Sequence, residues 1–288
     1  MSKDTKKTLR ARVEQRNGLI VPGAFNAMSA RVIADLGYEA CYLSGAGLTN
    51  MQFGLPDLAY IGLRDIVEAT ANIRDAVDLP LIVDIDTGFG NALNVRNTIR
   101  RVERAGAAAV QIEDQTFPKR CGHFAGKDVA PTEEMVGKIK ACVDARMDDN
   151  FLIIARTDAR ATQGFEAAIE RAKQFGEAGA DVLFVEATES ADEVRKLAKS
   201  LDLPQLMNIV VGGRTPALDG EELSALGFGI VLYANAALQG AVLGMQKSLG
   251  SLKKNRRLDE DPTIVVPFAE RQRLVDKPFY DGLEKKYA

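Results

Sequence analysis

Ala105-Gly106-Ala107-Ala108-Ala109-Val110-Gln111-Ile112-Glu113 decides the fold, because it is one instance of a unit that the chain repeats. A helix-period segment carrying Val95, Ile99 and Val102 ends at the glycine, a short apolar run follows, and a carboxylate closes it. Glycine ends helices well because it adopts the left-handed conformation without a Cβ penalty. The same ending recurs at Leu36-Gly37, Ala178-Gly179 and Leu226-Gly227. Seven residues beyond Gly37, Gly106 and Gly179 stand Ser44, Glu113 and Glu186, and two other apolar runs finish at Arg156 and close to Asn208. Each unit therefore brings a polar group to the C-terminal end of an apolar strand.

Outward from this unit, the expected strands are Leu19–Pro22, Ala40–Leu43, Leu81–Asp86, Ala108–Glu113, Phe151–Arg156, Asp181–Glu186, Gln205–Ile209 and Gly229–Tyr233. They are near-continuously apolar, as parallel strands covered on both faces must be. The segments between them read as amphipathic helices, for example Met135/Ile139/Cys142/Val143, and Ser190 with Glu193 predicts a capping box at the start of one. Eight such units predict an α/β fold of the (β/α)8 TIM-barrel type, with the polar strand ends converging on one face. The barrel is assigned to residues 1–250 as the catalytic domain. Residues 251–288, with the basic run Lys253-Lys254-Asn255-Arg256-Arg257 and the helical segments Phe268–Leu274 and Pro278–Tyr287, form a C-terminal helical tail suited to packing on a neighbouring subunit.

Composition narrows the function classes. A net charge of −3 gives no general reason to bind nucleic acid or an anionic membrane, and no apolar run approaches the roughly 18 residues that span a bilayer. Cys41, Cys121 and Cys142 are widely spaced, which suggests neither a disulfide framework nor a zinc cluster and points to a reducing cytoplasm. Cys41 and Cys142 lie in apolar patterns and are read as core residues.

Two stretches carry the chemistry. In Val83-Asp84-Ile85-Asp86-Thr87-Gly88, strand alternation turns Asp84 and Asp86 the same way, so that they can share a cation. With Asp57 and Glu113 they make an all-oxygen donor set that selects Mg²⁺, with Mn²⁺ as the alternative, over zinc. In Pro118-Lys119-Arg120-Cys121-Gly122-His123, a thiol stands beside an ammonium and the only imidazole of the chain, a set able to move a proton. Together with Arg156, Ser44 and the Gly45 backbone, these groups suit a 2-oxo or 2-hydroxy diacid whose charge is stabilised as an enolate forms.

The set Ser44-Gly45, Gly54-Leu55-Pro56-Asp57, Asp84 to Asn91, Ile112-Glu113-Asp114-Gln115, Lys119 to His123, Ala155-Arg156-Thr157-Asp158-Ala159 and Glu186-Ala187 resembles the isocitrate lyase/phosphoenolpyruvate mutase superfamily. The resemblance spans roughly Pro22 to Leu249, and the Lys-Arg-Cys-Gly-His loop is similar to its carbon–carbon lyase branch. It implies a homotetramer of (β/α)8 barrels that exchange a C-terminal helix. It implies Asp84 as direct metal ligand, with Asp57, Asp86 and Glu113 holding metal-bound waters. It implies Tyr42, Ser44, Gly45, Ala46, Cys121, Gly122, Arg156, Glu186, Asn208 and Thr215 as substrate contacts, and Cys121, Lys119, His123, Glu186 and Arg156 as the catalytic set, with Cys121 protonating the departing enolate.

The chain departs from its relatives at the seventh and eighth strands. Val211 stands where many relatives have a glutamate, Tyr233-Ala234-Asn235 lacks the proline of 2-methylisocitrate lyases, and Gln239 replaces their arginine. One cation fewer favours a dicarboxylate over a tricarboxylate. The expected function is a Mg²⁺-dependent lyase acting on a 2-alkylmalate or oxaloacetate. The alternatives are a 2-methylisocitrate lyase, a phosphonate mutase or hydrolase, and a silent oxo-acid-binding barrel. Neither nucleic acid nor membrane is an expected partner.

Overall fold

The computed structural model describes residues 4–120, 126–213 and 218–288. Among them eight strands alternate with helices: β1 (Leu19–Ala24), β2 (Cys41–Leu43), β3 (Leu81–Asp84), β4 (Ala109–Glu113), β5 (Leu152–Thr157), β6 (Val182–Val185), β7 (Leu206–Asn208) and β8 (Ile230–Tyr233). All eight expected strands are present. They pair in parallel in the order β6-β5-β4-β3-β2-β1-β8-β7. A single parallel bridge, Leu183 to Gln205, brings β6 to the start of β7, so the sheet is a nearly closed barrel.

Side-chain alternation splits the apolar residues into two cores. Leu19, Val21, Tyr42, Ile82, Ile154, Phe184, Leu206 and Leu232 fill the barrel, whose lower end is closed by Leu9 and Val13 of the helix Thr5–Glu14. Leu43, Val83, Val110, Ile153 and Val185 point outward and pack with Ile66, Ile99, Ile139 and Phe175 of the surrounding helices. Burying an aliphatic side chain of this size contributes about 1.5–3 kcal/mol, so the register that keeps both faces covered is strongly preferred. Cys41 and Cys142 are fully buried, and burial raises both thiols well above the ordinary range.

The glycines of the repeat behave as the sequence predicts: Gly37, Gly106, Gly179 and Gly227 have φ of 82°, 103°, 104° and 84°. A different glycine shapes the top of the barrel. A Cβ on Gly23 of β1 would lie 1.9 Å from the Ala234 carbonyl oxygen, so only glycine lets the end of β8 come this close.

Two local expectations need correction. β3 stops at Asp84 rather than Asp86, because Asp86 turns into the left-handed region with φ 48°. The Ser190/Glu193 box is half formed. Ser190 accepts the Glu193 N–H at 3.1 Å, but the Glu193 carboxylate takes the Glu189 N–H and pairs with Arg160 instead of closing on Ser190. Arg160 of the helix Ala159–Gln163 and the Glu189 N–H together hold that carboxylate better than the Ser190 N–H alone would.

After β8 the helix Ala236–Asn255 runs for 20 residues and buries only Leu238. Val242, Leu243, Met245, Leu249 and Leu252 remain exposed along it. The expected tail helices are present as Phe268–Leu274 and Lys277–Tyr287. The first docks on the helix Ala27–Asp35, where Arg273 pairs with Asp35 at 2.6 Å and Arg31 donates to the Leu274 carbonyl at 3.2 Å. Among the described residues, no helix is long and apolar enough to cross a membrane.

Candidate active site

The C-terminal ends of the strands enclose one cavity that gathers most of the residues singled out by the sequence. Tyr42, Ser44 and Ala46 enter from the end of β2, Asp84 from β3, Glu113 from β4, Arg156 from β5, Glu186 from the end of β6 and Asn208 from β7, while Asp57 and Lys119 come from loops. Gly45 backs this set: its N–H donates to Asp84 Oδ2 at 3.4 Å, and a Cβ added there would sit 3.3 Å from Asp84 Oδ2 and 3.4 Å from Asp86 Oδ1. Asp84 and Asp86 thus converge as expected, by a different route. The turn at Asp86 folds its N–H back onto Asp84 Oδ1 at 3.1 Å, where strand alternation was the predicted cause. Cys121, Gly122, His123 and Thr215 lie outside the described residues.

The acids are balanced by buried cations. Lys119 Nζ donates to Asp57 Oδ1 at 2.6 Å and lies 2.8 Å from Asp86 Oδ1 without hydrogen-bond alignment. Burial pushes the Asp86 carboxyl up to about 7, with Lys119 opposing and Asp84 adding to the rise. Glu113 is raised well above the carboxylate range, again by burial, with Arg156 opposing. Burial acts to lower the Lys119 ammonium, but Asp86, Glu113 and Asp57 outweigh it and leave the group above its ordinary value. Glu113 Oε1 is buried with no hydrogen-bond partner, an acceptor that a bound cation or its water shell would satisfy. The donors here are all oxygen, which fits a hard divalent cation. Among the described residues no three acids, thiols or imidazoles are gathered into a cage. Mg²⁺ does not need one, since it is commonly held by one or two carboxylates and several waters.

Arg156 is half committed. Asp158 accepts its Nε at 2.9 Å and its Nη2 at 3.0 Å, Glu113 Oε2 lies 3.2 Å from Nη1, and the guanidinium stands 5.3 Å from the Phe184 ring centre. Of five guanidinium N–H groups, Asp158 takes two, leaving donors for a carboxylate in the cavity. Burial opposes the charge on Asp158, but Arg156 and Lys127 overcome it and hold the carboxyl at about 2.

The sequence reading did not anticipate Gln111, Phe184, Val210 and Leu232 in the cavity wall. Gln111 is fully buried, accepts the Tyr42 hydroxyl at 2.6 Å, and leaves its Nε2 unpaired. Burial, then the neighbouring Asp84 carboxylate, raises the Tyr42 phenol well above its ordinary value. The position of Gln111, two residues before Glu113 and on the same strand face, was the available signal. Gln115 also acts locally, its carboxamide clamping the Arg120 backbone through N–H and C=O at 2.9 and 2.8 Å. Val210, Leu232 and Ala234 form an apolar side of the cavity supplied by β7, β8 and the residues that follow them.

A barrel with acids, a lysine and an arginine at its strand ends defines a class of enzyme. The family model described as phosphoenolpyruvate phosphomutase matches residues 9–253, and the chain belongs to the phosphoenolpyruvate mutase/isocitrate lyase superfamily. It is 39% identical over 285 residues to the 2,3-dimethylmalate lyase of Eubacterium barkeri, covering 99% of each chain. It is 46% identical over 281 residues to the 2-methylisocitrate lyase of Aeropyrum pernix, covering 97% of this chain and 89% of that one. Among solved structures, oxaloacetate acetylhydrolase in complex with the inhibitor 3,3-difluorooxalacetate superposes with a TM-score of 0.93 at 31% identity, covering 98% of this chain and 97% of the other.

Proposed function

We propose that this protein is a Mg²⁺-dependent lyase that cleaves a carbon–carbon bond of a malate-type 2-hydroxy or 2-oxo dicarboxylate, a 2-alkylmalate or oxaloacetate, through an enolate. The observation that carries this reading is a cavity of mixed lining: carboxylates, Lys119 and Arg156 together with Val210, Leu232 and Ala234, the last three supplied by β7, β8 and the residues that follow them along with Asn208 and Asn235. A diacid with an alkyl substituent matches both kinds of lining. Asp84 would hold the metal, with Asp57, Asp86 and Glu113 around its waters; when bound, the metal supplies a Lewis acid that favours negative charge on oxygen. Arg156 and Ser44 bind the substrate carboxylates. Glu186, whose Oε2 accepts Asn208 Nδ2 at 3.4 Å, takes the proton of the 2-hydroxyl, or, for a 2-oxo acid, of the hydrate formed when water adds to its carbonyl. The C2–C3 bond breaks, and Cys121, oriented by Lys119 and His123, returns a proton to the enolate carbon. The barrel of residues 1–250 carries this chemistry, and residues 251–288, with the helix Ala236–Asn255 that leads into them, serve assembly.

With Mg²⁺ and a panel of alkylmalates, oxaloacetate and 2-methylisocitrate, the protein is expected to release an oxo acid from an alkylmalate, or oxalate and acetate from oxaloacetate. Cys121→Ser should lose most of the turnover, at least about 100-fold, while still binding oxalate. A panel that stays wholly inert, or a fully active Cys121 variant, would remove this reading. Faster cleavage of 2-methylisocitrate would favour the tricarboxylate reading that the 46% identical relative suggests. Phosphorus NMR on phosphonopyruvate separates a phosphonate enzyme, and oxalate binding without any turnover separates a silent binder.

The exposed apolar residues of the helix Ala236–Asn255, and the apolar groove beside it lined by Pro22, Phe25, Met28, Val32 and Leu36, support a homotetramer that exchanges this region. Light scattering is expected to give four times the 31.2 kDa chain mass. Leu243→Glu with Leu249→Glu should lower it, and a monomeric unaltered protein would refute the assembly.

A further inference from the structure

Lys127 does not line the cavity, yet it is one of the most deeply buried cations of the molecule. Its Nζ donates to Asp158 Oδ1 at 2.6 Å, with the two side chains 2% and 0% exposed. The same oxygen accepts Arg156 Nη2 at 3.0 Å, while Oδ2 accepts Arg156 Nε at 2.9 Å. The backbone beneath this carboxylate is anchored as well. The Asp158 N–H is held by Asp114 Oδ1 at 2.9 Å, and Asp114 is in turn held by Arg171 at 3.0 Å and the Thr157 hydroxyl at 2.6 Å. One fixed carboxylate therefore serves the cavity arginine on one side and a lysine outside the cavity on the other.

This sharing has a consequence. Lys127 takes up part of the charge of Asp158, so that this carboxylate neutralises Arg156 less than it would with the guanidinium as its one cation. Without Lys127, Asp158 would draw more fully on Arg156, in surroundings too dry for water to screen the difference. The hold of Arg156 on an incoming anion would weaken, because Asp158 competes with the substrate carboxylate for the same guanidinium. We propose that Lys127 is a positioning residue for the substrate-binding arginine, acting through Asp158 to keep Arg156 oriented and its charge available to a substrate carboxylate. This rests on the reading of the cavity as a dicarboxylate site.

The test compares the unaltered protein with Lys127→Met, Lys127→Arg, Asp158→Asn and the Lys127→Met/Asp158→Asn pair. Oxalate dissociation constants are measured by calorimetry in saturating Mg²⁺, alongside KM and kcat for the best diacid. Lys127→Met should raise the oxalate constant and KM about tenfold, the scale of coupling within a shared network, and leave the Mg²⁺ constant unchanged. The change in kcat should stay under about threefold, since the interaction lost is one of binding. Lys127→Arg should restore oxalate binding, and on the Asp158→Asn background Lys127→Met should add nothing. If Lys127→Met alone does not fold, the double variant against Asp158→Asn decides, because that pair leaves no unpaired charge between the two positions. An oxalate constant unmoved by Lys127→Met, or an equal loss on both backgrounds, overturns the proposal while the dicarboxylate reading stands. Failure of the unaltered protein to bind oxalate overturns both.

Discussion

Replacing Asp84 by asparagine is expected to weaken Mg²⁺ binding at least about 100-fold, since even residues that only support a metal ligand cost 10–100-fold, and to abolish turnover. The substitution preserves shape, and the acceptor oxygen can still take the Asp86 N–H, now 3.1 Å from Asp84 Oδ1, so the melting temperature should stay close to that of the unaltered protein. Calorimetry with Mg²⁺ alone separates loss of the metal from loss of the substrate. The same titration in the unaltered protein has a pH signature. Below pH 7 the Asp86 carboxyl, raised to about 7, retains its proton, and a divalent cation must displace it. Mg²⁺ affinity should therefore rise as pH increases through 7 and level off above. Full Mg²⁺ affinity in Asp84→Asn would place the metal elsewhere.

The second large effect is on stability. Arg171 is 5% exposed and holds three partners: Asp114 Oδ2 at 3.0 Å, Thr132 Oγ1 at 2.9 Å and the Ala130 carbonyl at 2.6 Å. Arg171→Met leaves the Asp114 carboxylate, 1% exposed, with only the Thr157 hydroxyl and the Asp158 N–H. Breaking a buried pair from one side costs about 3–5 kcal/mol, because the remaining charge is uncompensated. In a chain of this size that is a fall in Tm on the order of 10 °C. Calorimetric melting checks it. A loss below about 1 kcal/mol would mean that Asp114 stays protonated in the fold, toward which burial already pushes it.

What the sequence made legible was periodic or local. Counting residues after a helix-ending glycine put Ser44, Glu113 and Glu186 at strand ends, and the end of an apolar run put Arg156 there, so all four could be placed on one face before any coordinates. The pairings that tune these groups were hidden for a physical reason. Lys127 and Asp158 are 31 residues apart, Tyr42 and Gln111 are 69 apart, and Asp57 and Lys119 are 62 apart. Each depends on the register between strands and on loop paths, which no short window encodes. The bend at Asp86 was hidden too, because alternation assumes that a strand continues and a single left-handed residue ends it. Arg156 illustrates both sides. Its place at a strand end was readable, whereas its partial neutralisation by Asp158, Glu113 and Glu186 was not.

The helix Ala236–Asn255 has one further property. At 1.5 Å per residue its 20 residues make a rod about 30 Å long. Its N-cap, Asn235, lines the cavity, and its far end is in the exposed tail region. The cavity wall at Ala234 and Asn235 and the exposed apolar residues Leu249 and Leu252 are therefore two ends of one continuous rod, whose one buried residue is Leu238.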